Sequence, residues 1–352
     1  MRIDKTSVER YLATIQEIGA SVRLTDCHAH PYEVMYDDCR YEPNSEVAGV
    51  YSTGKACYVP PMSAAISLEA PASPDPDTPR DLVERMMLLT MRRRFTHTGP
   101  QYWLDQARLA GLGRFVLLAV AQPGRTADVR MAEMARMFGD DPHFLWGYSL
   151  PNTLAPERVE EDIQQAIKKY EISVLKVHPT LSGHELTAVE GRARVDALLK
   201  TAQKVGMPVI VHGGKSPSVR YPPTACQQGE LDHLAKLDLA GSCYPIVIAH
   251  AGAFGIGAEE FQRRVLPQLH ELLSKYDHLL VDTSALSVDV LSVLVGQVEP
   301  ERILFGSDAL YELSWKAAVK LYWVLEQQFS RPEDLFALIA GENPEKLFIK
   351  EV

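Results

Sequence analysis

A repeated alternation of apolar strands and helices constrains the fold of this chain more than any other feature. Apolar segments that predict strands lie at 22–26, 114–121, 143–150, 172–178, 207–212, 244–250, 278–283 and 302–307. A segment of helical periodicity follows each of them, as at 156–170 and 228–240. Short strands that are apolar throughout indicate a parallel sheet buried on both faces. The alternation therefore predicts an α/β fold, a (β/α)8 TIM barrel.

The ends of this pattern predict two additions to the barrel. Residues 5–19 have the periodicity of an amphipathic helix and precede the first strand. Residues 31–100 form a long insertion after that strand, and their many prolines favour loops over helix or central strand. Asn343 before Pro344 predicts the start of a last helix. We interpret residues 1–352 as a single barrel domain.

Composition excludes several classes of partner. The chain carries 36 Lys and Arg against 46 Asp and Glu, so its net charge of −10 argues against a nucleic-acid surface. No apolar run reaches the ~18 residues of a membrane span, and the N-terminus lacks the apolar core of a secretory signal. Five cysteines without a Cys-x-x-Cys pair are typical of reduced thiols. We expect a cytoplasmic protein that binds a small molecule, with an anionic substrate allowed and homo-oligomerisation left open.

Polar side chains close most of the predicted strands, where the active sites of TIM barrels lie. The segment "TDCHAH" (25–30) places two histidines two residues apart, so their side chains share a face of the strand. Imidazole and carboxylate are ligands for zinc, which in catalytic sites keeps one position open. The candidate metal ligands are His28, His30, His212 and Asp308, and further polar strand ends are Asp26, Lys176, His178, His250 and Asp282.

Each of these residues also has an ordinary explanation. A single buried histidine more often satisfies a local hydrogen bond than binds a metal, and a polar strand end can be paired inside the core. Asp26 is predicted either to orient the histidines or to cap the strand. The several strand ends taken together favour a metal site.

Six segments resemble the amidohydrolase superfamily, in particular its amidohydrolase-2 branch, which includes hydrolases, lactonases and aminocarboxymuconate-semialdehyde decarboxylase-like enzymes. They are "TDCHAH" (25–30), "VLKVHP" (174–179), "MPVIVHGG" (207–214), "IVIAHAG" (246–252), "ILFGSDAL" (303–310) and "GENPEKLF" (341–348), in the order that the family has them.

The resemblance implies roles for the matching positions. His28 and His30 would bind a first metal ion, His212 that ion or a second one, and His250 a second ion or the reactive water. Asp308 would bind metal and move a proton. Lys176 would be either a carboxylated bridge between two ions or a charged residue of the pocket. The ion would be Zn²⁺, with Mn²⁺ and Fe²⁺ as alternatives.

Two enzyme classes and one other role fit these observations. The first is a hydrolase that uses metal-activated water on an amide, lactone or ester, with Asp308, His250 and Lys176 as catalytic residues. The alternative is a lyase, either a decarboxylase or a hydratase, that acts on a carboxylated small molecule and needs a cation such as Arg92, Arg93, Arg94 or Arg220. The third is a barrel without catalytic activity that uses the metal structurally, although structural zinc sites are usually closed.

Overall fold

A computed structural model describes residues 2–31, 66–68, 100–121, 131, 135, 138–216, 223–241, 244–309 and 311–348. Most of the predicted insertion at 31–100 lies outside the described residues, as do Arg92, Arg93, Arg94 and Arg220. The same holds for most of residues 126–139, for which helical periodicity predicts a helix after the second strand.

Eight parallel strands form one sheet in which spatial order equals chain order, as predicted for the barrel. The strands are β1 Leu24–Ala29, β2 Leu112–Leu118, β3 Phe144–Ser149, β4 Val174–Val177, β5 Val209–Val211, β6 Ile246–Ile248, β7 Leu279–Asp282 and β8 Ile303–Leu304. Backbone hydrogen bonds from Cys27 N to Phe305 O (2.9 Å), Asp308 N to His28 O (2.7 Å) and His30 N to Ala309 O (2.7 Å) join β8 to β1. These bonds close the sheet into a (β/α)8 barrel.

Helices connect the strands on the outside. They are α1 Lys5–Ser21, α2 Pro100–Ala110, α3 Val159–Tyr170, α4 Pro179–Ser182, α5 Val189–Val205, α6 Pro223–Cys226, α7 Leu231–Leu234, α8 Ala258–Glu260, α9 Leu266–Lys275, α10 Val288–Gln297, α11 Ser314–Gln328, α12 Pro332–Ala337 and α13 Asn343–Phe348. Two π-helical turns, Phe261–Val265 and Leu338–Glu342, join α8 to α9 and α12 to α13. None of the helices within the described ranges combines the length and apolarity that a membrane crossing requires.

Helix α3 shows how the sequence specifies these outer elements. Its buried residues recur at helical spacing on the face toward the sheet: Val159, Ile163, Ala166 and Tyr170. Acidic residues occupy its first turn and lysines its last, which complements the helix dipole. It ends where Glu171 takes the left-handed conformation, with φ of 52°.

The segment 228–240 is not the single helix that its periodicity predicts. It contains the short helix α7 and a separate 3-10 turn at Leu239–Gly241. The backbone N–H of Asp238 donates to the Asp196 carboxylate at 2.9 Å, and the amide of Leu239 donates to the Leu237 carbonyl. A side chain of the neighbouring helix therefore takes an amide that a continuing helix would use internally.

The barrel interior is filled by side chains from alternate strand positions, and α13 closes one end of it. Cys27, Val116, Val174, Ile210, Val247 and Leu304 pack together with Leu347 of α13. Arg114 near the start of β2 forms an ion pair with Glu345. Helix α13 thus covers the N-terminal end of the barrel and leaves the opposite end for the site.

The residue Asn343 was predicted to start the last helix, and α13 does begin at Asn343. A π-helical turn leads directly into Asn343, so this residue already has helical backbone angles, with φ of −63° and ψ of −46°. Its side-chain amide donates to the carbonyls of Pro300 (2.8 Å) and Ile303 (2.9 Å). The same residue therefore ties α13 to the start of β8.

Residues 66–68 of the insertion return to the N-terminus. The two-residue strand Ile66–Ser67 pairs antiparallel with Arg2–Ile3, and Leu68 is buried in the outer core.

Truncation of Leu347 is expected to destabilise the barrel, because this side chain is 5% exposed and fills the interior. We predict that Leu347→Ala lowers the free energy of unfolding by about 2–5 kcal/mol. Val189→Ala is the control, since Val189 is 67% exposed and its truncation should change stability little. Urea unfolding of both variants checks this, and equal midpoints would contradict the closing role of α13.

Candidate metal centre

Polar side chains gather at the C-terminal ends of the barrel strands, as in TIM-barrel active sites. They lie at or just after the ends of six strands, and each is at most 6% exposed: His28, His30, Lys176, His178, His212, His250, Asp282 and Asp308. So many buried polar groups require mutual hydrogen bonds or a ligand.

Three potential ligand atoms converge between β1 and β8. The Nε2 atoms of His28 and His30 are 3.1 Å apart, and Asp308 Oδ1 lies 3.4 Å from His30 Nε2 and 3.8 Å from His28 Nε2. In a tetrahedral zinc site with bonds of 2.0–2.1 Å, neighbouring ligand atoms are about 3.3 Å apart. The trio therefore has the dimensions of one side of a metal coordination shell.

Hydrogen bonds on the far side of both rings determine their tautomers. His30 Nδ1 is 2.8 Å from the carbonyl oxygen of Leu118, which can only accept. His28 Nδ1 is 2.8 Å from a carboxylate oxygen of Asp282. Both rings therefore carry their proton on Nδ1, and each directs the lone pair of Nε2 toward the other.

This donor set fits a divalent cation. Two lone pairs 3.1 Å apart repel each other unless a positive group lies close to both. Burial lowers the pKa of His28 well below its usual range and that of His30 to about 3, so both rings remain neutral, as metal ligands must be. Burial raises the pKa of Asp308 to about 8, against the opposing effect of Lys176.

Asp282 and Ser284 hold the rings of β1 and β6 together. Asp282 accepts hydrogen bonds from the amides of His250 (2.8 Å) and Ser284 (3.0 Å) and from the Ser284 hydroxyl. The same hydroxyl oxygen is 3.0 Å from His28 Nδ1 and 2.8 Å from His250 Nδ1. Within the described part of the chain, His28, His250 and Asp282 form a second group of ligand-type atoms. Those atoms are already hydrogen bonded to one another or to Ser284, so the trio with Asp308 fits a metal better.

A chain of hydrogen bonds runs from Ser284 through His250 and His212 to Ser216. The Ser284 carbonyl is 2.9 Å from His250 Nδ1, which places the proton there. His250 Nε2 must then accept from His212 Nδ1 at 3.2 Å, so His212 Nε2 carries a lone pair and accepts from the Ser216 hydroxyl at 2.7 Å. Burial lowers the pKa of His250 to about 4 and that of His212 well below its usual range, which keeps both rings neutral.

Lys176 lies inside the site, next to the first histidine. Its Nζ is 2.9 Å from His28 Nε2, and the side chain is 1% exposed. Burial lowers the pKa of this amine to about 8, while Asp282 and Asp308 oppose that effect. The structure shows an amine in contact with a candidate ligand, and a carboxylated Lys176 stays a prediction.

Two of the site residues have strained backbone. His250 has φ of 56° and Asp308 φ of 57°, a left-handed conformation that costs free energy for residues other than glycine. Such strain persists where surrounding contacts require it, and here it occurs at two predicted metal-site residues. Position 306 must be glycine for the backbone to pass close to His28, because a Cβ there would lie 2.8 Å from the His28 Cβ.

Asp26 bonds to the backbone at the end of its strand, which agrees with the predicted strand cap and not with a contact to the histidine rings. Its carboxylate accepts from the backbone amides of His28 (3.2 Å) and Ser307 (3.0 Å) and from the Ser307 hydroxyl (2.6 Å). It therefore fixes the backbone between β1 and β8 on which His28 and Asp308 stand. Burial raises the pKa of Asp26 to about 6.

The predicted site residues thus fall into connected groups. The structure brings His28, His30 and Asp308 together with Lys176, whereas His212 is paired with His250 and Ser216 and is absent from both ligand-type groups. The metal-binding roles of His212, His250 and Lys176 stay predictions. Sequence reasoning assigned no function to Ser284, and Asp282 was noted only as a polar strand end.

The profile of the amidohydrolase family matches residues 25–349. A (β/α)8 barrel with buried His and Asp side chains placed for a metal ion at its strand ends is typical of metal-dependent barrel enzymes. Within that class, this chain belongs to the amidohydrolase family. No curated protein matches the sequence significantly.

Solved structures show the same fold at low sequence identity. A 2,6-dihydroxybenzoate decarboxylase complexed with 2,6-dihydroxybenzoate is 15% identical, with a TM-score of 0.54 over 80% of this chain and 97% of that one. A 5-carboxyvanillate decarboxylase from Novosphingobium aromaticivorans, complexed with manganese and 4-hydroxy-3-methoxy-5-nitrobenzoic acid, is 12% identical, with a TM-score of 0.53 over 93% and 95%. An amidohydrolase from Burkholderia multivorans with bound zinc is 14% identical, with a TM-score of 0.52 over 93% and 99%.

Replacement of His30 tests the trio directly. We predict that His30→Ala loses most of its bound Zn²⁺ or Mn²⁺ after reconstitution and dialysis, because the remaining donors form an incomplete coordination shell. His143→Ala is the control, since His143 pairs with Asp141 on the surface. Elemental analysis of both proteins measures metal per chain, and equal contents would exclude His30 as a ligand.

Asp282 should affect metal affinity without contacting the ion. Asp282→Asn can present an N–H to His28 Nδ1, which would move the ring proton to Nε2 and block the lone pair. We predict a metal affinity about 10–100-fold weaker. Asp289→Asn, on the exposed face of α10, should leave affinity unchanged in the same competition titration with a chelating dye. An unaltered affinity for Asp282→Asn would contradict the tautomer assignment.

Proposed function

We propose that this protein is a metal-dependent lyase that removes CO₂ from a small carboxylated molecule. The observation that carries the proposal is the convergence of His28, His30 and Asp308 beside the buried amine of Lys176. Such a site combines a place for a divalent cation with a second positive group, which suits an anionic substrate. Two decarboxylases among the similar structures, each with an aromatic acid bound, support this choice.

The polar residues at the strand ends would have separate roles in binding the ion and the substrate. His28, His30 and Asp308 would hold the ion, with His212 as a further ligand once its Nε2 is released by Ser216. When bound, the ion supplies positive charge that orients and polarises the substrate oxygens. Lys176 would add a hydrogen-bond donor for an anionic oxygen, and His250 would keep His212 in its tautomer.

Proton transfer is assigned to Asp308. In decarboxylation the bond between the carboxyl carbon and its neighbour breaks, CO₂ leaves, and the electron pair remains on the neighbouring carbon. That carbon takes a proton from the Asp308 carboxyl group, so one proton is consumed for each CO₂ released.

Hydrolysis of an amide, lactone or ester is the second candidate. The family itself favours it, and the site has acceptors for a proton from water in Asp308 and in the histidine chain. The two candidates differ in whether water is consumed and whether a new C–H bond forms.

Incubation in D₂O distinguishes the two candidates. The protein, reconstituted with Mn²⁺ or Zn²⁺, would be assayed against hydroxybenzoates, other unsaturated acids, lactones and amides. The lyase proposal predicts CO₂ release and one deuterium at the carbon that lost the carboxylate. Ring opening or amide cleavage with no C–D bond would overturn it in favour of the hydrolase.

Asp308→Asn separates ligand binding from proton transfer. The amide oxygen can still approach the ion, but the amide cannot donate or take the proton. We predict a fall in turnover of at least about 100-fold, with metal binding largely retained at saturating ion. Asp334→Asn, on the surface of α12, is the control. Unchanged turnover in Asp308→Asn would remove this residue from proton transfer.

A further inference from the structure

The imidazole ring of His178 differs from the neighbouring rings in which nitrogen carries the proton. His178 follows β4, two residues after Lys176, and is 6% exposed. Its ring stacks on that of His212 with a centroid distance of 4.0 Å and an interplanar angle of 12°. His178 therefore lies against the histidine chain that extends from the candidate metal centre.

The helix that follows determines the tautomer of His178. Its Nδ1 accepts a hydrogen bond from the backbone N–H of Leu181 at 3.2 Å, as the N-cap of α4. A backbone amide can only donate, so Nδ1 carries the lone pair and the neutral ring has its proton on Nε2. Burial lowers the pKa of His178 well below its usual range, and Lys176 lowers it further, so the ring is neutral.

The other rings present acceptors where His178 presents a donor. Hydrogen bonds on Nδ1 leave lone pairs on the Nε2 atoms of His28, His30 and His212. Among the described residues, the hydrogen bond of the His178 ring is the one to Nδ1, and none is formed by Nε2. The His178 side chain is 6% exposed, and a hydrogen bond is stronger where little water competes, so an acceptor brought by a ligand would be stabilised at this donor.

We propose that the Nε2–H of His178 donates a hydrogen bond to a substrate oxygen, the carboxylate or enolate-type oxygen of a small organic acid. This proposal rests on the proposed function, because it assumes an anionic substrate at the metal centre. His178 would be a substrate-binding residue, and its stacking on His212 would fix the donor beside the ion. Lys176, on the same strand and face, would add positive potential to the same region.

Two variants separate the two nitrogens of this ring. An asparagine places its oxygen near the position of Nδ1, and asparagine is a favoured N-cap, so His178→Asn keeps the cap and removes the distant donor. A glutamine places its N–H₂ near the position of Nε2, so His178→Gln keeps the donor. His143→Asn is the surface control.

The experiment measures binding of acetate, benzoate and 2,6-dihydroxybenzoate to the manganese- or zinc-loaded protein. We expect His178→Asn to bind the tightest of these acids about tenfold to a hundredfold more weakly, with unchanged metal content and melting temperature. His178→Gln should recover part of the affinity. Equal dissociation constants for the wild type and His178→Asn, or no binding of any of the acids to the wild type, would overturn the proposal.

The response of the Nε2 resonance to the acid provides a readout that a capping role alone would not move. In the zinc-loaded, ¹⁵N-histidine-labelled protein, the proton of His178 should reside on Nε2, and that nitrogen should shift when the carboxylate is added. A proton on Nδ1, or a resonance insensitive to the acid, would contradict the inference. Neither measurement needs turnover, so absence of CO₂ release would sink the lyase proposal and leave the assignment of His178 standing.

Discussion

The structure of the site depends on two hydrogen bonds made by ring nitrogens that face away from it. The Leu118 carbonyl accepts a hydrogen bond from Nδ1 of His30, and the Asp282 carboxylate accepts one from Nδ1 of His28. Both groups can only accept hydrogen bonds. This leaves two lone pairs 3.1 Å apart in a region from which water is excluded. This arrangement of acceptors fits a cation between the rings, with the Asp308 carboxylate 3.4 Å from His30 Nε2 and the Lys176 amine 2.9 Å from His28 Nε2.

Barrel closure brings these groups together. Asp308 stands after β8 and His28 on β1, and the two segments meet only because the last strand pairs with the first. Asp26 bridges that seam through the amides of His28 and Ser307. These hydrogen bonds offset the desolvation cost of burying the Asp26 carboxylate. They also fix the backbone on which the site residues stand. The strained φ of Asp308 occurs at the same seam, where the Asp308 amide donates to the His28 carbonyl.

Much of this architecture could be predicted from the sequence. The eight apolar segments set the number and order of the strands, because a parallel barrel needs continuous apolar strands separated by helices. Motif order placed His28, His30 and Asp308 at the ends of β1 and β8. The polar ends of the other strands were recognised in the same way.

The parts that could not be predicted depend on contacts between distant segments. Periodicity alone could not show that Asp196 interrupts the segment 228–240, nor that Asn343 bonds to carbonyls before β8. Strict alternation would turn Cys27 away from the barrel interior if both histidines face the site, yet Cys27 packs inside it. The pairing of β1 with β2 is irregular between Asp26 and Ala29, which changes the alternation. Ser284 has no sequence signal, because its role arises from three neighbours on different strands.

Anomalous diffraction from crystals of the metal-loaded protein tests the central claim most directly. The account predicts an ion at about 2.0–2.2 Å from Nε2 of His28, Nε2 of His30 and a carboxylate oxygen of Asp308. Its position would show that both Nε2 lone pairs point to one cation. An ion bound instead to Nδ1 of His28 with His250 and Asp282, or no ion at these strand ends, would contradict the account.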